Sequence, residues 1–239
     1  MKKLSLTLAA LAATIGAASA QVEIGLKVSP SITYLRTDAP ADNEFKDESS
    51  QLGIGGGLVV DYFFGENYAF STGLQLTGKG GSYSYMYPDP LNASNKLSGG
   101  TVKLSAQYLE LPLSVKLFTN EIAPDMRLYF QVGGSVAVPI GARIDGEKRY
   151  KDYTTTSFFT SGQPQETTAL SHVFFIDANA LAGLGIEFQM AKSTKVFGGF
   201  SYHRGLINLD SYYEDEREPN LKDVSIKNNV FALDLGLKF

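Results

Sequence analysis

The chain has 239 residues, with 25 acidic and 21 basic side chains and a formal charge of −4. It lacks cysteine and tryptophan but holds 24 glycines, 13 tyrosines and 15 phenylalanines. This balance excludes disulfides, thiolate metal sites and cysteine nucleophiles, argues against a nucleic-acid partner, and favours strands and turns over helices.

Met1-Lys2-Lys3, the apolar run Leu4–Ala18 and the small residues Ala18-Ser19-Ala20 form the tripartite secretory pattern. The run is too short for a spanning helix. Residues 1–20 are therefore expected to be a signal peptide, and 21–239 one barrel domain. Removing the signal leaves 19 basic against 25 acidic residues, a net charge near −6. No later segment approaches 18 consecutive apolar residues, so any membrane crossing would be made by strands.

Period-2 alternation then dominates, which a half-buried strand requires and a helix does not produce. Val22–Tyr34 sets Val22, Ile24, Leu26, Val28 and Ile32 against Glu23, Lys27, Ser29 and Thr33. Leu52–Phe64 sets Leu52, Ile54, Leu58, Val60, Tyr62 and Phe64 against three glycines and Asp61. Tyr68–Thr77 continues with Phe70, Leu74 and Leu76 on one side. Val102–Leu117 changes phase, since Val102 and Leu104 are even while Leu109, Leu111, Leu113, Val115 and Leu117 are odd. A bulge near Tyr108 is expected there, and Pro112 is awkward for a fully paired strand. Met126–Ile140, Ile176–Met190, Lys195–His203 and Lys227–Phe239 complete eight strands.

Three connections are short (Gly65–Asn67, Thr119–Asp125, Ala191–Thr194), and four are long (Arg36–Ser50, Ser82–Thr101, Ile144–Ser171, Asp210–Ser225). The predicted fold is all-β, an eight-stranded antiparallel up-and-down transmembrane β-barrel. Short turns and both termini would lie on the periplasmic rim of the cell outer membrane. One strand face is nearly free of charge. The other carries Lys27, Asp61, Lys79, Glu110, Lys116, Arg127, Asp177, Glu187, His203, Asp234 and Lys238. Charge facing lipid costs roughly 2–4 kcal/mol for Arg or Lys at the midplane, so the charged face is expected to look inward. Eight strands leave a lumen that side chains fill. Lys27, Asp61, Glu110, Lys116, Arg127, Glu187 and Asp234 are the expected charge network, with Glu110, Arg127, Glu187 and Lys116 pairing across it. Tyr62, Phe64, Tyr68, Phe70 and Phe118 fit an interfacial girdle.

Tyr108-Leu109-Glu110-Leu111-Pro112-Leu113-Ser114-Val115-Lys116 resembles a strand of the PorT-like outer-membrane barrel family. Gly25-Leu26-Lys27, Gly73-Leu74, Arg204-Gly205-Leu206-Ile207-Asn208 and the closing Asn228–Phe239 run fit the same layout. The resemblance spans essentially the whole mature chain and implies fold and location. Named members of that family are linked to protein secretion and gliding, and the family supplies no catalytic residues. Phe231, Leu233, Leu235, Leu237 and Phe239 resemble the C-terminal signal read by barrel-assembly machinery. Other expected partners are outer-membrane lipids and a protein at the extracellular loops. A component of a secretion or envelope-assembly complex is the alternative role, with a membrane-embedded lipid hydrolase or small transporter ranked after it.

Several motifs have bland readings. Gly53-x-Gly55-Gly56-Gly57 precedes a strand and lacks a following GK[ST], so small lumen-facing residues explain it better than a phosphate loop. Ser201 and His203 share a strand face, as a membrane-embedded lipid hydrolase would need, but i and i+2 lie about 7 Å apart on a strand. The acidic runs in Arg36–Ser50 and Asp210–Asp223 lack EF-hand spacing and read as solvated loops. No enzyme activity, cofactor or metal is expected. Tyr83-Ser84-Tyr85-Met86-Tyr87 reads equally as a contact surface or as strand extension above the membrane.

Overall fold

The computed structural model describes residues 22–38, 46–88, 97–152, 165–209 and 224–239. The proposed signal peptide lies outside the described residues. The strands are β1 (Val22–Asp38), β2 (Lys46–Ser49), β3 (Gln51–Gly65), β4 (Tyr68–Pro88), β5 (Leu97–Phe118), β6 (Met126–Ile144), β7 (Arg149–Asp152), β8 (Gln165–Thr168), β9 (Asp177–Ala191), β10 (Thr194–Gly205) and β11 (Ser225–Lys238). Eight of these build a wall in the order β4-β3-β1-β11-β10-β9-β6-β5, antiparallel throughout, and pairing of β4 with β5 closes it. The last seam joins the chain ends, where Ile24 and Phe239 exchange backbone hydrogen bonds of 3.2 and 2.8 Å. Closure leaves no open sheet edge, so backbone polar groups are satisfied without water.

Alternation along each wall strand sends one set of side chains outward and the next inward. The outward set is apolar and uncovered: Ile24, Leu26, Val28, Leu111, Leu113, Phe130, Val132, Leu184 and Phe200 all lie open on the outer face. A continuous apolar surface around a whole molecule is far beyond what a soluble monomer exposes. It demands a hydrocarbon surrounding. Among the described residues no helix is long and apolar enough to cross a membrane. Crossing a bilayer takes about 9–11 residues of tilted strand, a length every wall strand exceeds.

Several strands run well past that length, which shortens the expected loops. β4 and β5 have 21 and 22 residues, so their hairpin stands above the apolar belt. The residues expected as the Ser82–Thr101 loop are mostly strand, and Tyr83 is buried inside. β2 pairs with the upper part of β4, and the Ile144–Ser171 connection contains the β7–β8 hairpin and a short 3-10 turn, Ala169–His172. The acidic residues 210–223 lie outside the described residues.

The expected phase change in β5 does not occur. Its even residues, from Leu104 through Phe118, are all buried inward. The irregularity instead sits in β6, where Gln107 pairs with Gly141 and Tyr108 with Pro139, leaving Ile140 as the extra residue. Beyond it, β6 turns Ala142 and Ile144 inward and Arg143 outward. Val102 and Leu104 misled because the polarity rule reverses above the belt, where Thr101, Lys103, Ser105 and Gln107 face water. Phe118 is likewise corrected. It points into the lumen, 5.3 Å from Phe63 between ring centroids, and not into the interface. Phe64 and Tyr68 do stand outside, stacked at 6.1 Å beside the first short turn. Pro112 is accommodated by a gap in the β4–β5 register between Thr72–Leu113 and Gln75–Glu110, where the Thr72 hydroxyl donates to the Pro112 carbonyl at 2.9 Å.

Candidate functional site

Among the described residues, most of the charged and hydrogen-bonding side chains of the wall converge on its inward face. Its glycines make room for the large groups. The Tyr129 ring lies against β9 and β10 where a Cβ on Gly185 or Gly199 would stand 2.5 or 2.4 Å from the Tyr129 hydroxyl. Side chains then fill the barrel in successive levels from the short-turn rim to the long-loop rim.

Nearest the short turns, Lys238 of β11 reaches Asp61 at 2.5 Å, pairs with Glu187, and lies 3.7 Å from Glu23. Lys116 holds both Asp61 oxygens, at 3.0 and 2.9 Å, and Lys195 pairs with Glu23. Arg127 approaches Glu187 at 3.8 Å and stacks over the Phe118 ring at 4.9 Å. The neighbouring strands place like charges side by side: Glu23 opposite Asp61, and Lys195 opposite Lys238. Such neighbours repel. They are tolerated because each cation reaches over an intervening strand, or across the terminal seam, to an acid. Lys238→Met is expected to lower stability by about 2 kcal/mol. That is less than for an isolated buried pair, since Asp61, Glu23 and Glu187 each keep a second cation. Urea titration of the folded barrel would measure it.

One level up, Lys27 bonds Asp234 at 3.1 Å and the Ser29 hydroxyl donates to the same carboxylate. Only about 10 Å³ of free space remains among Lys27, Gln75, His203 and Asp234. That is barely one water's share. Higher still, Lys79 spans the lumen to Asp177 at 2.9 Å and lies 3.5 Å from Glu110, whose other oxygen meets His203 Nδ1 at 3.1 Å. Lys79 also sits 4.9 Å above the Tyr108 ring. The lumen ends in an apolar cap built from Leu35, Tyr83, Leu104, Tyr108, Ile144, Val173, Leu209 and Ile226. The segment Ala169–Val173 and Leu209 lie over it, tied by backbone bonds from Phe174 to Leu209 and from Leu209 to Ile226.

Every residue of the expected charge network therefore faces inward, and of the four expected to pair with one another only Arg127 and Glu187 do so. Glu110 instead meets Lys79 and His203, and Lys116 meets Asp61. Glu23, Lys195, Lys79, Asp177, His203 and Lys238 also belong to it. Glu23 and Lys195 were legible as charges in the inward phase of their strands. Ser201 and His203 do share a face, but both are over 90% buried in the interior, where His203 is engaged with Glu110. The last strand shows Phe231, Leu235, Leu237 and Phe239 exposed outside and Leu233 half-exposed.

The short-turn mouth is hollow. A vestibule of about 420 Å³ opens there, lined by Glu23, Glu121, Asp125, Arg127, Glu187, Lys192, Lys195 and Lys238 among others. Its acids and cations balance, so it favours neither anions nor cations.

The sequence model of a family described as "Outer membrane protein beta-barrel domain" matches residues 17–211. Among solved structures, the chain is similar to Ail, the attachment invasion locus protein of Yersinia pestis, at 13% identity over 92% of this chain and 99% of that one, with a TM-score of 0.40. It is similar to OprG from Pseudomonas aeruginosa at 10% identity over 90% and 95%, TM-score 0.41. Neisserial surface protein A is similar at 8% over 89% and 95%, TM-score 0.40. No curated protein matches the chain.

Proposed function

The chain belongs to the outer membrane protein beta-barrel domain family, and from that premise we propose that this outer-membrane barrel is a non-enzymatic structural or interaction protein acting through its long loops. The observation that carries the reading is the sealed lumen: ion pairs cross it at several levels and an apolar cap covers one end. Among the described residues these side chains fill the path that solutes or a lipid substrate would take. Outer-membrane lipids surround the belt. The exposed run Phe231, Leu235, Leu237 and Phe239 serves as the signal for assembly machinery. The short-turn rim with both termini faces the periplasm, and the long loops face outward to a protein partner.

Reconstituted in a planar bilayer, the purified protein is expected to give no large, stable conductance. A steady open-channel current overturns the reading. In intact cells, added protease is expected to cut within the Ile144–Ser171 connection and spare the termini, whereas cleavage only after the envelope is opened reverses the orientation. A second reading, a component of a secretion or envelope-assembly complex, is favoured by the charged vestibule at the short-turn mouth, which presents paired ions to the periplasm. Co-purification of a stoichiometric periplasmic partner that is lost in Arg127→Ala would support it.

A further inference from the structure

The outer face carries one group of cations that the sealed lumen does not explain. On β1 and β11, Arg36 stands directly opposite Lys227. On β10, Arg204 pairs with Asn229, two residues along β11 from Lys227. Residues opposite one another, or two apart, in a sheet share a face, so three cations from three adjacent strands crowd one outer patch. Among the described residues no acid forms an ion pair with any of them. Like charges directly opposite destabilise a sheet, and on this face the three cations outnumber the described acid Asp38, which stands two residues along β1 from Arg36.

The ground beneath them is aromatic. Phe231 stacks on Tyr202 at 4.6 Å and on Tyr34 at 6.2 Å. The Tyr34 hydroxyl lies beside that of Tyr202, within electrostatic range of both arginines. Stacked tyrosines facing outward at the upper edge of an apolar belt mark the headgroup level of a bilayer. Asn229, buried below, accepts from Arg36 at 3.3 Å and from the Tyr202 hydroxyl at 3.0 Å, which fixes the guanidinium in place. Its own amide nitrogen is buried with no hydrogen-bond partner, a donor without an acceptor directly under the cations.

We propose that Arg36, Arg204 and Lys227 form a site for the phosphorylated headgroup of a membrane glycolipid, its acyl chains lying down the apolar faces of β1, β11 and β10. Guanidinium forks match phosphate oxygens. The aromatic ladder suits the flat faces of a sugar. Assignment to the outer leaflet rests on the orientation proposed above.

The test uses the full mature barrel refolded in detergent, with folding confirmed by its gel mobility before and after heating. Native mass spectrometry would count the retained lipid when the probe is a diphosphorylated glucosamine glycolipid, its dephosphorylated form, or the first in excess inorganic phosphate. Wild type is expected to retain the phosphorylated lipid at least tenfold better than the dephosphorylated one. R204E/K227E, which leaves the Arg36 bonds intact, is expected to lose that preference. K103Q/R143Q, two exposed cations on the β5–β6 side, is expected to keep it. Equal retention of both lipids, no loss in R204E/K227E, equal loss in K103Q/R143Q, or displacement by inorganic phosphate alone overturns the site. Binding in detergent does not depend on orientation, so a reversed protease pattern in cells changes the leaflet and leaves the site standing.

Discussion

Lys79→Met is expected to destabilise the barrel by roughly 3–5 kcal/mol, the range for removing one partner of a buried ion pair. Lys79 is fully enclosed, and it is the one described cation in contact with Asp177. Its removal leaves Asp177 with no counter-ion, one of whose oxygens already lacks a hydrogen bond, and leaves Glu110 with His203 alone. Urea titration in lipid vesicles, read by the mobility difference between folded and heated protein, gives the number. Neutralising the acids as well, in K79M/E110Q/D177N, is expected to recover most of the loss, because the cost lies in the stranded charges and not in the missing lysine. A triple variant as unstable as the single one would mean that packing against the Tyr108 ring, and not charge, sets the effect.

The second large effect belongs to the outer face. Leu113 lies at the middle of the outward apolar series Leu109, Leu111, Leu113, Val115 and Leu117 of β5. Leu113→Arg is expected to cost about 2–4 kcal/mol, the value for a cation at the hydrocarbon midplane. Ser105→Arg, on the same strand face but above the belt, is expected to change stability by less than about 1 kcal/mol. The same titration would compare them. Equal costs at the two positions would show that lipid does not contact Leu113, and the inside–outside assignment would fail with it.

The barrel itself was legible because lipid imposes a strict rule on alternate residues: eight alternating runs, short and long connections in turn, and charge within the belt confined to one phase. That rule fails where the strands leave the lipid. Leu104 and Val102 are apolar and were placed outside, yet above the belt water surrounds the wall and the interior becomes an ordinary apolar core. The bulge was assigned to β5 for the same reason, although its extra residue is Ile140 of β6. Phe118 was assigned to the girdle as an aromatic at a strand end, but its even position turns it inward. Arg127 with Glu187 apart, the ion partners were not legible. Lys79 and Asp177 are 98 residues apart, and their meeting depends on strand register and tilt, which no local pattern encodes.

That separation bears on how the protein enters its membrane. The contacts of Lys79 with Asp177, His203 with Glu110, and Lys238 with Asp61 join early parts of the chain to late ones. A partly rolled sheet would hold these ions bare, each still wearing its hydration shell. Neutralisation of Lys238 by Asp61 waits for the final strand to dock against the first. Until then the nascent protein is too polar for hydrocarbon, and its unfinished interior stays wet until the ring is whole.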